Sequence, residues 1–162
     1  MLIAVISDTH MTTPGAWLQD VYEKHLAPAD ALLHCGDITT PAVWSFFMQH
    51  PNFHCVRGNC DWDPALVDEL DPMLSVKLGG LVVGLTHGWG PRPQVPEKVA
   101  EAFGPKYDLV CYGHTHARDW GKRRGVQLCN PGSLGESGSL AHITIGPDGA
   151  LDCQFLQGPP RL

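Results

Sequence analysis

Leu2-Ile3-Ala4-Val5-Ile6-Ser7-Asp8-Thr9-His10 opens the chain and decides how the rest is read. Leu2 to Ile6 is an unbroken branched apolar run, as expected of a strand covered on both faces. Immediately past its end stand an acid and an imidazole, Asp8 and His10. The arrangement recurs. Ala31-Leu32-Leu33 is a second short buried strand, followed by Gly36-Asp37. Phe53 to Val56 reads as a third, followed by Gly58-Asn59-Cys60-Asp61. A helix is expected between the first two, from Pro14 to about Ala27, with Trp17, Leu18, Val21, Tyr22 and Leu26 at helical spacing. Another is expected from Pro41 to Gln49, with proline in its first turn. Strand–helix–strand–helix–strand predicts a parallel α/β sheet.

The character then changes. Met73 to Leu78 and Leu81 to Leu85 are joined by Gly79-Gly80, a two-residue hairpin signal. A helix from about Val95 to Phe103 leads into the apolar strand Leu109 to Tyr112. Further strands are expected at Arg118 to Lys122, Val126 to Cys129, Ala141 to Ile145 and Leu151 to Phe155. The second half therefore reads as mostly antiparallel β. No linker, repeat or low-complexity stretch divides the chain, so residues 1–162 are expected to form one domain with two sheets.

Composition narrows the class. The 162 residues are 43% hydrophobic and 17% charged, which excludes a disordered tail or a coiled coil. Eleven basic against 17 acidic residues give a formal charge of −6, without the basic face of a dedicated nucleic-acid surface. No segment approaches the roughly 18 apolar residues of a membrane span. The run Leu2 to Ile6 is too short for a signal-peptide core and lacks a basic flank. The six cysteines form no C-x-x-C pair, and most sit in apolar runs, as reduced core thiols would. A soluble, cytoplasmic protein is the expectation.

Five polar clusters end these strands: Asp8-Thr9-His10, Gly36-Asp37, Gly58-Asn59-Cys60-Asp61, Thr86-His87-Gly88 and Gly113-His114-Thr115-His116. Open α/β sheets bind ligands in the crevice outside the carboxyl ends of their strands. Asp8, His10, Asp37, Asn59, His87, His114 and His116 together offer carboxylate, imidazole and amide oxygen. Such a set suits Mn, Fe, Co, Ni or Zn better than Mg or Ca, which prefer oxygen alone. Seven ligands exceed what one ion needs; two ions sharing a carboxylate, about 3.5–4 Å apart, would use them. Taken singly, each cluster also has a plain structural reading. Asp8 or Asp37 can cap a helix, Gly58-Asn59 can be a turn, and a lone histidine is commonly hydrogen-bonded scaffold.

The five blocks in this order resemble those of the calcineurin-like metallophosphoesterases. The likeness runs from Ile3 to about Ser133, and Asn130-Pro131-Gly132-Ser133 resembles a late loop in the family's small bacterial and archaeal phosphodiesterase branch. The resemblance implies a four-layer α/β/β/α sandwich: two mixed β-sheets flanked by helices. It implies a dinuclear metal centre, with manganese the first choice and Ni, Fe, Co or Zn the others. Asp8, His10, Asp37 and His116 would hold one ion; Asp37, Asn59, His87 and His114 would hold the second. Asp37 would bridge, and Asp37, Asn59 and His114 would be the catalytic residues. A hydroxide shared by the two ions would attack phosphorus in line.

Two divalent ions, two carboxylates and a hydroxide sum to about +1, a match for a phosphodiester monoanion. Many members of the superfamily carry histidine after the Gly-Asn of the third block, where it protonates the leaving oxygen. Here that residue is Cys60, which beside metal cations would tend toward a thiolate and donate protons poorly. Cys60, Asn130 and Ser133 are the candidate substrate contacts. Arg57 and Arg92 are further phosphate-clamp candidates, and Trp62 and Trp89 are candidates for stacking or for shielding the rim. His25, His34, His50, His54 and His142 are assigned to structure or surface.

The expected activity is hydrolysis of small or nonspecific phosphodiesters. The alternatives are a phosphomonoesterase or nucleotide pyrophosphatase, or a non-catalytic scaffold resembling the retromer subunit of this fold. The expected partner is a small phosphoester, with no nucleic-acid surface and no membrane; a homo-oligomer remains open.

Overall fold

The computed structural model describes residues 1–160. β1 (Leu2–Ile6), β2 (Ala31–His34) and β3 (Phe53–Cys55) lie parallel and side by side, as the alternation of strand and helix predicts. β9 (Ser139–Ile145) joins the free edge of β1 antiparallel, and β10 (Leu151–Gln157) pairs antiparallel with β9. The first sheet thus runs β10-β9-β1-β2-β3.

The second sheet runs β4-β5-β6-β8-β7. Its members are β4 (Met73–Leu78), β5 (Leu81–Thr86), β6 (Leu109–Cys111), β7 (Arg118–Arg123) and β8 (Val126–Pro131). Gly79 and Gly80 both take positive φ, 56° and 83°, which is what a tight turn between twisted antiparallel strands demands. The expectation of mostly antiparallel pairing misses the middle of this sheet, where β5–β6 and β6–β8 are parallel. Parallel neighbours need a long connection, supplied by a crossover helix between β5 and β6 and by the edge strand β7 between β6 and β8. That helix spans Val95–Phe103, as expected.

The remaining helices refine the reading. The first is α-helical only over Ala16–Val21 and continues as a π turn through Tyr22–Leu26, closed by Ala27 N–H donating to Tyr22 O at 2.8 Å. It starts two residues later than expected because Gly15, in extended conformation, takes the cap position. The second spans Pro41–Phe47, capped by the Thr40 hydroxyl. Two short helices, Pro64–Glu69 and Leu134–Ser137, have no counterpart in the sequence reading.

Alternation along β1 builds the layers. Ala4 and Ile6 face outward onto Leu18, Val21, Leu26, Val43, Phe47 and Leu66 of the helices. Ile3 and Val5 face inward onto Val83, Leu85, Leu109 and Cys111 of the second sheet. Outside that sheet, Val110, Val126 and Leu128 pack under Val95, Val99 and Phe103. The result is helix, sheet, sheet, helix. Among the described residues no helix is long and apolar enough to cross a membrane, and all six cysteines are free.

Candidate metal centre

The carboxyl ends of β1, β2, β3, β5 and β6 open at one end of the sandwich, and each delivers one polar cluster there. The turns that do so are unusual. Asp8, His10, Asp37, His114 and His116, five of the seven candidate ligands, have φ between 46° and 68°. Asp and His tolerate this left-handed region better than branched residues, and such backbone persists where the surroundings over-determine it. Here they do. Asp8 N–H donates to Gly36 O and His10 N–H to Asp37 O, at 3.0 and 3.2 Å. A Cβ on Gly58 would collide with Asp37, which is why that turn needs glycine.

Asp8 and Asp37 are buried at the centre. His10 Nε2 stands 3.7 Å from Asp8 Oδ1 and 3.4 Å from Asp37 Oδ2. His87 Nε2 is 3.9 and 3.3 Å from the same two atoms. His116 Nε2 lies 3.1 Å from Asp8 Oδ1. Asp8-His10-His116 and Asp8-Asp37-His87 each bring three donor atoms within 4.8 Å of one another, and His10-Asp37-Cys60 forms a third such set. Asp8 Oδ1 and His87 Nε2 are buried without a hydrogen-bond partner. An orphaned carboxylate oxygen and an orphaned imidazole nitrogen at one point are what a cation would satisfy, so the donor set fits a metal.

The ring orientations agree with this. His87 Nδ1 meets Cys35 O at 2.7 Å, so it carries the hydrogen and the neutral ring turns the Nε2 lone pair to the centre. His116 Nδ1 donates to Glu136 Oε2 at 2.6 Å, which turns Nε2 toward Asp8 Oδ1. Burial would raise the pKa of both acids, but facing histidines overcome it. Asp8 is held below 3.8 by His10 and His87, and Asp37 down to about 2 by His87. Reciprocally, His10 is raised above 6.5 by Asp8, and His87 by Asp37 against its own burial.

Asn59 and His114 line the same 230 Å³ pocket as His10, Asp37, Cys60 and His116. They are bonded to each other, His114 Nδ1 to Asn59 Oδ1 at 2.9 Å, while His114 Nε2 meets Gly90 O at 3.0 Å. Burial, then the nearby Asp37, push the Cys60 thiol up to about 11. The metal-free chain therefore carries a thiol there; the expected thiolate concerns the site with cations bound.

Two substrate candidates move. Asn130 and Ser133 are fully buried, and their polar groups are spent on the site's loops. Asn130 Nδ2 donates to Gly113 O and Thr115 Oγ1, and Ser133 Oγ donates to Asp8 O at 3.0 Å. They brace the loops that carry Asp8, His114 and His116, and do not face the pocket. Arg57 donates to Val67 O away from the pocket, whereas Arg92 lines it. Trp62 and Trp89 are exposed, and Trp62 donates its indole N–H to Asn59 O. His34, assigned to structure, is buried beneath the site with its pKa lowered to about 3 by burial. Its Nδ1 accepts from Gly36 N–H, so Nε2–H donates to Thr9 Oγ1 at 2.7 Å.

Asp61 and Glu136 are the supports that sequence reasoning did not place. Asp61 accepts from the N–H groups of Asp37, Thr39 and Gly58 at 3.0, 2.7 and 2.6 Å, tying the second block to the third. Its position inside Gly-Asn-Cys-Asp was a usable signal. Glu136 had none.

A sandwich of two mixed sheets with Asp, His and Asn at its strand ends defines a phosphoesterase-type metal centre. The chain belongs to the calcineurin-like phosphoesterase superfamily, whose domain model matches residues 1–146. It is 30% identical over 139 residues to the probable metallophosphoesterase YsnB of Bacillus subtilis, covering 83% of this chain and 75% of that protein. It is also 30% identical over 159 residues to phosphodiesterase MJ0936 of Methanocaldococcus jannaschii, covering 90% and 91%. Among solved structures, a novel archaeal phosphodiesterase superposes with a TM-score of 0.69 at 24% identity, covering 96% of this chain and 100% of its own. Zinc-complexed Vps29 of Entamoeba histolytica superposes at 0.70 with 22% identity, covering 96% and 98%. Family members are metal-dependent, and this chain carries the residues to hold metal.

Proposed function

We propose that the protein is a phosphodiesterase with two divalent transition-metal ions, manganese first among them, acting on small phosphodiesters. The observation that carries this is the orphaned pair Asp8 Oδ1 and His87 Nε2 inside a ring of further donors. Asp8, His10, Asp37 and His116 would hold one ion, and Asp37, Asn59, His87 and His114 the other. Bound there, the cations supply a water of lowered pKa and a positive field for the phosphate oxygens.

The chain's own residues set the rest. His10 and His87 both approach Asp37 Oδ2, while Oδ1 accepts from Cys60 N–H, so Oδ2 suits a ligand atom shared between two ions. Cys35 O and Glu136 fix the tautomers of His87 and His116. His34, Thr9 and Asp61 hold the loops, so that the donors need not reorganise when substrate arrives. The proposed partner is a small phosphoester. The six free thiols suit a reducing cytoplasm.

The likeness to Vps29 favours a second reading, a protein-interaction scaffold. All seven expected ligands are present, which favours catalysis. Protein stripped of metal, reloaded ion by ion and assayed on matched diester and monoester substrates decides between them. Diester hydrolysis restored by Mn²⁺ supports the proposal; no hydrolysis with any ion leaves the scaffold, and monoester-only turnover makes it a phosphomonoesterase.

A further inference from the structure

Behind the loop His114-Thr115-His116-Ala117 lies a second cavity, of 430 Å³. It meets the 230 Å³ metal pocket at one side chain, Arg92, which lines both. The loop is the partition. His114 and His116 line the metal pocket, whereas Thr115 and Ala117 line the groove. Pro93 and Pro96 also line it. Arg92 therefore stands where the metal pocket and the groove adjoin.

The polar groups lining that groove are already engaged. Tyr112 donates its hydroxyl to Asp119 at 2.6 Å, and Arg123 closes on both Asp119 oxygens at 2.9 and 3.2 Å. Arg118 is tied to Ser139 Oγ and Leu156 O, and Thr115 Oγ1 accepts from Asn130. What remains for a ligand is largely apolar: two proline rings and the Ala117 methyl. The Arg92 guanidinium, in contrast, forms no ion pair or hydrogen bond among the described residues.

We propose that this groove is the subsite for one ester arm of a phosphodiester, an aromatic or otherwise apolar alcohol, and that Arg92 meets the anionic phosphate oxygens at its mouth. The inference rests on the reading of the centre as a phosphodiesterase. Size permits it: a cavity of about 150 Å³ holds a benzene ring. Chemistry selects it: a polyhydroxylated arm would lose its water there and find few free partners. Arginine's planar fork suits the two non-bridging oxygens of a diester.

The test is equilibrium binding to the Zn²⁺-loaded protein of methyl(phenyl)phosphinate and dimethylphosphinate. Both are PO₂⁻ monoanions with no ester bond to cut, and they differ only in the arm. The aryl ligand should bind at least about tenfold tighter, as burying a ring of this size implies. Ala117→Trp, which fills the groove, should bring the ratio close to one. Arg92→Ala should weaken both ligands by a similar factor. In the unmodified protein the aryl ligand should shift the methyl resonances of Ala117 and Thr115, a readout independent of how the variants fold. Dimethylphosphinate binding with no aryl preference and no shift at Ala117 overturns the groove alone. Failure of both phosphinates to bind overturns the phosphodiesterase reading with it.

Discussion

Asp8 Oδ1 and His87 Nε2 lie 3.9 Å apart, both buried, and neither completes a hydrogen bond. A buried polar atom left unsatisfied costs about 1–3 kcal/mol, so the metal-free fold is under tension at this point. Cations that bind only the folded chain relieve it. At a free concentration a thousandfold above the dissociation constant, one ion stabilises by about 4 kcal/mol. For a chain of this size that is about 8–16 °C in thermal midpoint. Differential scanning calorimetry with Mn²⁺ and with chelator should show such a gap.

The gap should depend on pH. Asp8 and Asp37 titrate below their ordinary 3.8, so their contribution is present above that value and lost as pH falls through the folded values, about 2 for Asp37. His10 and His87 titrate above their ordinary 6.5, so theirs is full below 6.5 and lost as pH rises through the raised values. The metal-free chain is thus best served between about pH 4 and 6.5. Metal must displace protons from His10 and His87, so its benefit grows with pH. The difference in midpoint between loaded and stripped protein should widen from pH 6 to pH 8. A constant difference would mean that these histidines are not ligands.

Asp61 gives a prediction free of metal. Its buried carboxylate accepts three backbone N–H bonds from the loops carrying Asp37 and Asn59. Asp61→Asn turns an amide N–H₂ toward at least one of those donors. We expect a loss of about 2–4 kcal/mol in urea unfolding of the stripped protein. A loss under about 0.5 kcal/mol would show that the loops hold without it.

The family resemblance sets Cys60 where a histidine would be expected to protonate the leaving oxygen. In the metal-free chain burial and Asp37 push this thiol up to about 11, and bound cations would favour its thiolate. Neither form is a proton donor matched to chemistry near pH 7. The rate on a series of aryl and alkyl diesters should fall steeply as leaving-group pKa rises. Cys60→His should flatten that slope, helping the poorest leaving groups by about tenfold or more. A flat dependence in the parent protein contradicts this account.

The backbone order of this site was legible because β1 announces itself as a buried strand and each cluster sits where a strand ends. Its finer build was not. Period and propensity do not report φ, so nothing marked Asp8, Asp37 or His116 as left-handed. Parallel pairing of β5 with β6 and of β6 with β8 depends on which edges meet, a tertiary fact. Asn130 and Ser133 illustrate the same boundary. Their types suit phosphate, and only packing shows that they brace loops instead. Glu136, 20 residues beyond its partner His116, becomes visible only once the helix Leu134–Ser137 is placed.

The proposed function turns on a pair of cations sharing Asp37. Electron spin resonance of the stripped protein reloaded with two equivalents of Mn²⁺ tests it most directly. Ions about 3.5–4 Å apart on a common carboxylate must give the multiline spectrum of a spin-coupled pair, and Asp37→Asn must abolish it. A spectrum of isolated Mn²⁺ alone, unchanged by Asp37→Asn, would contradict the account.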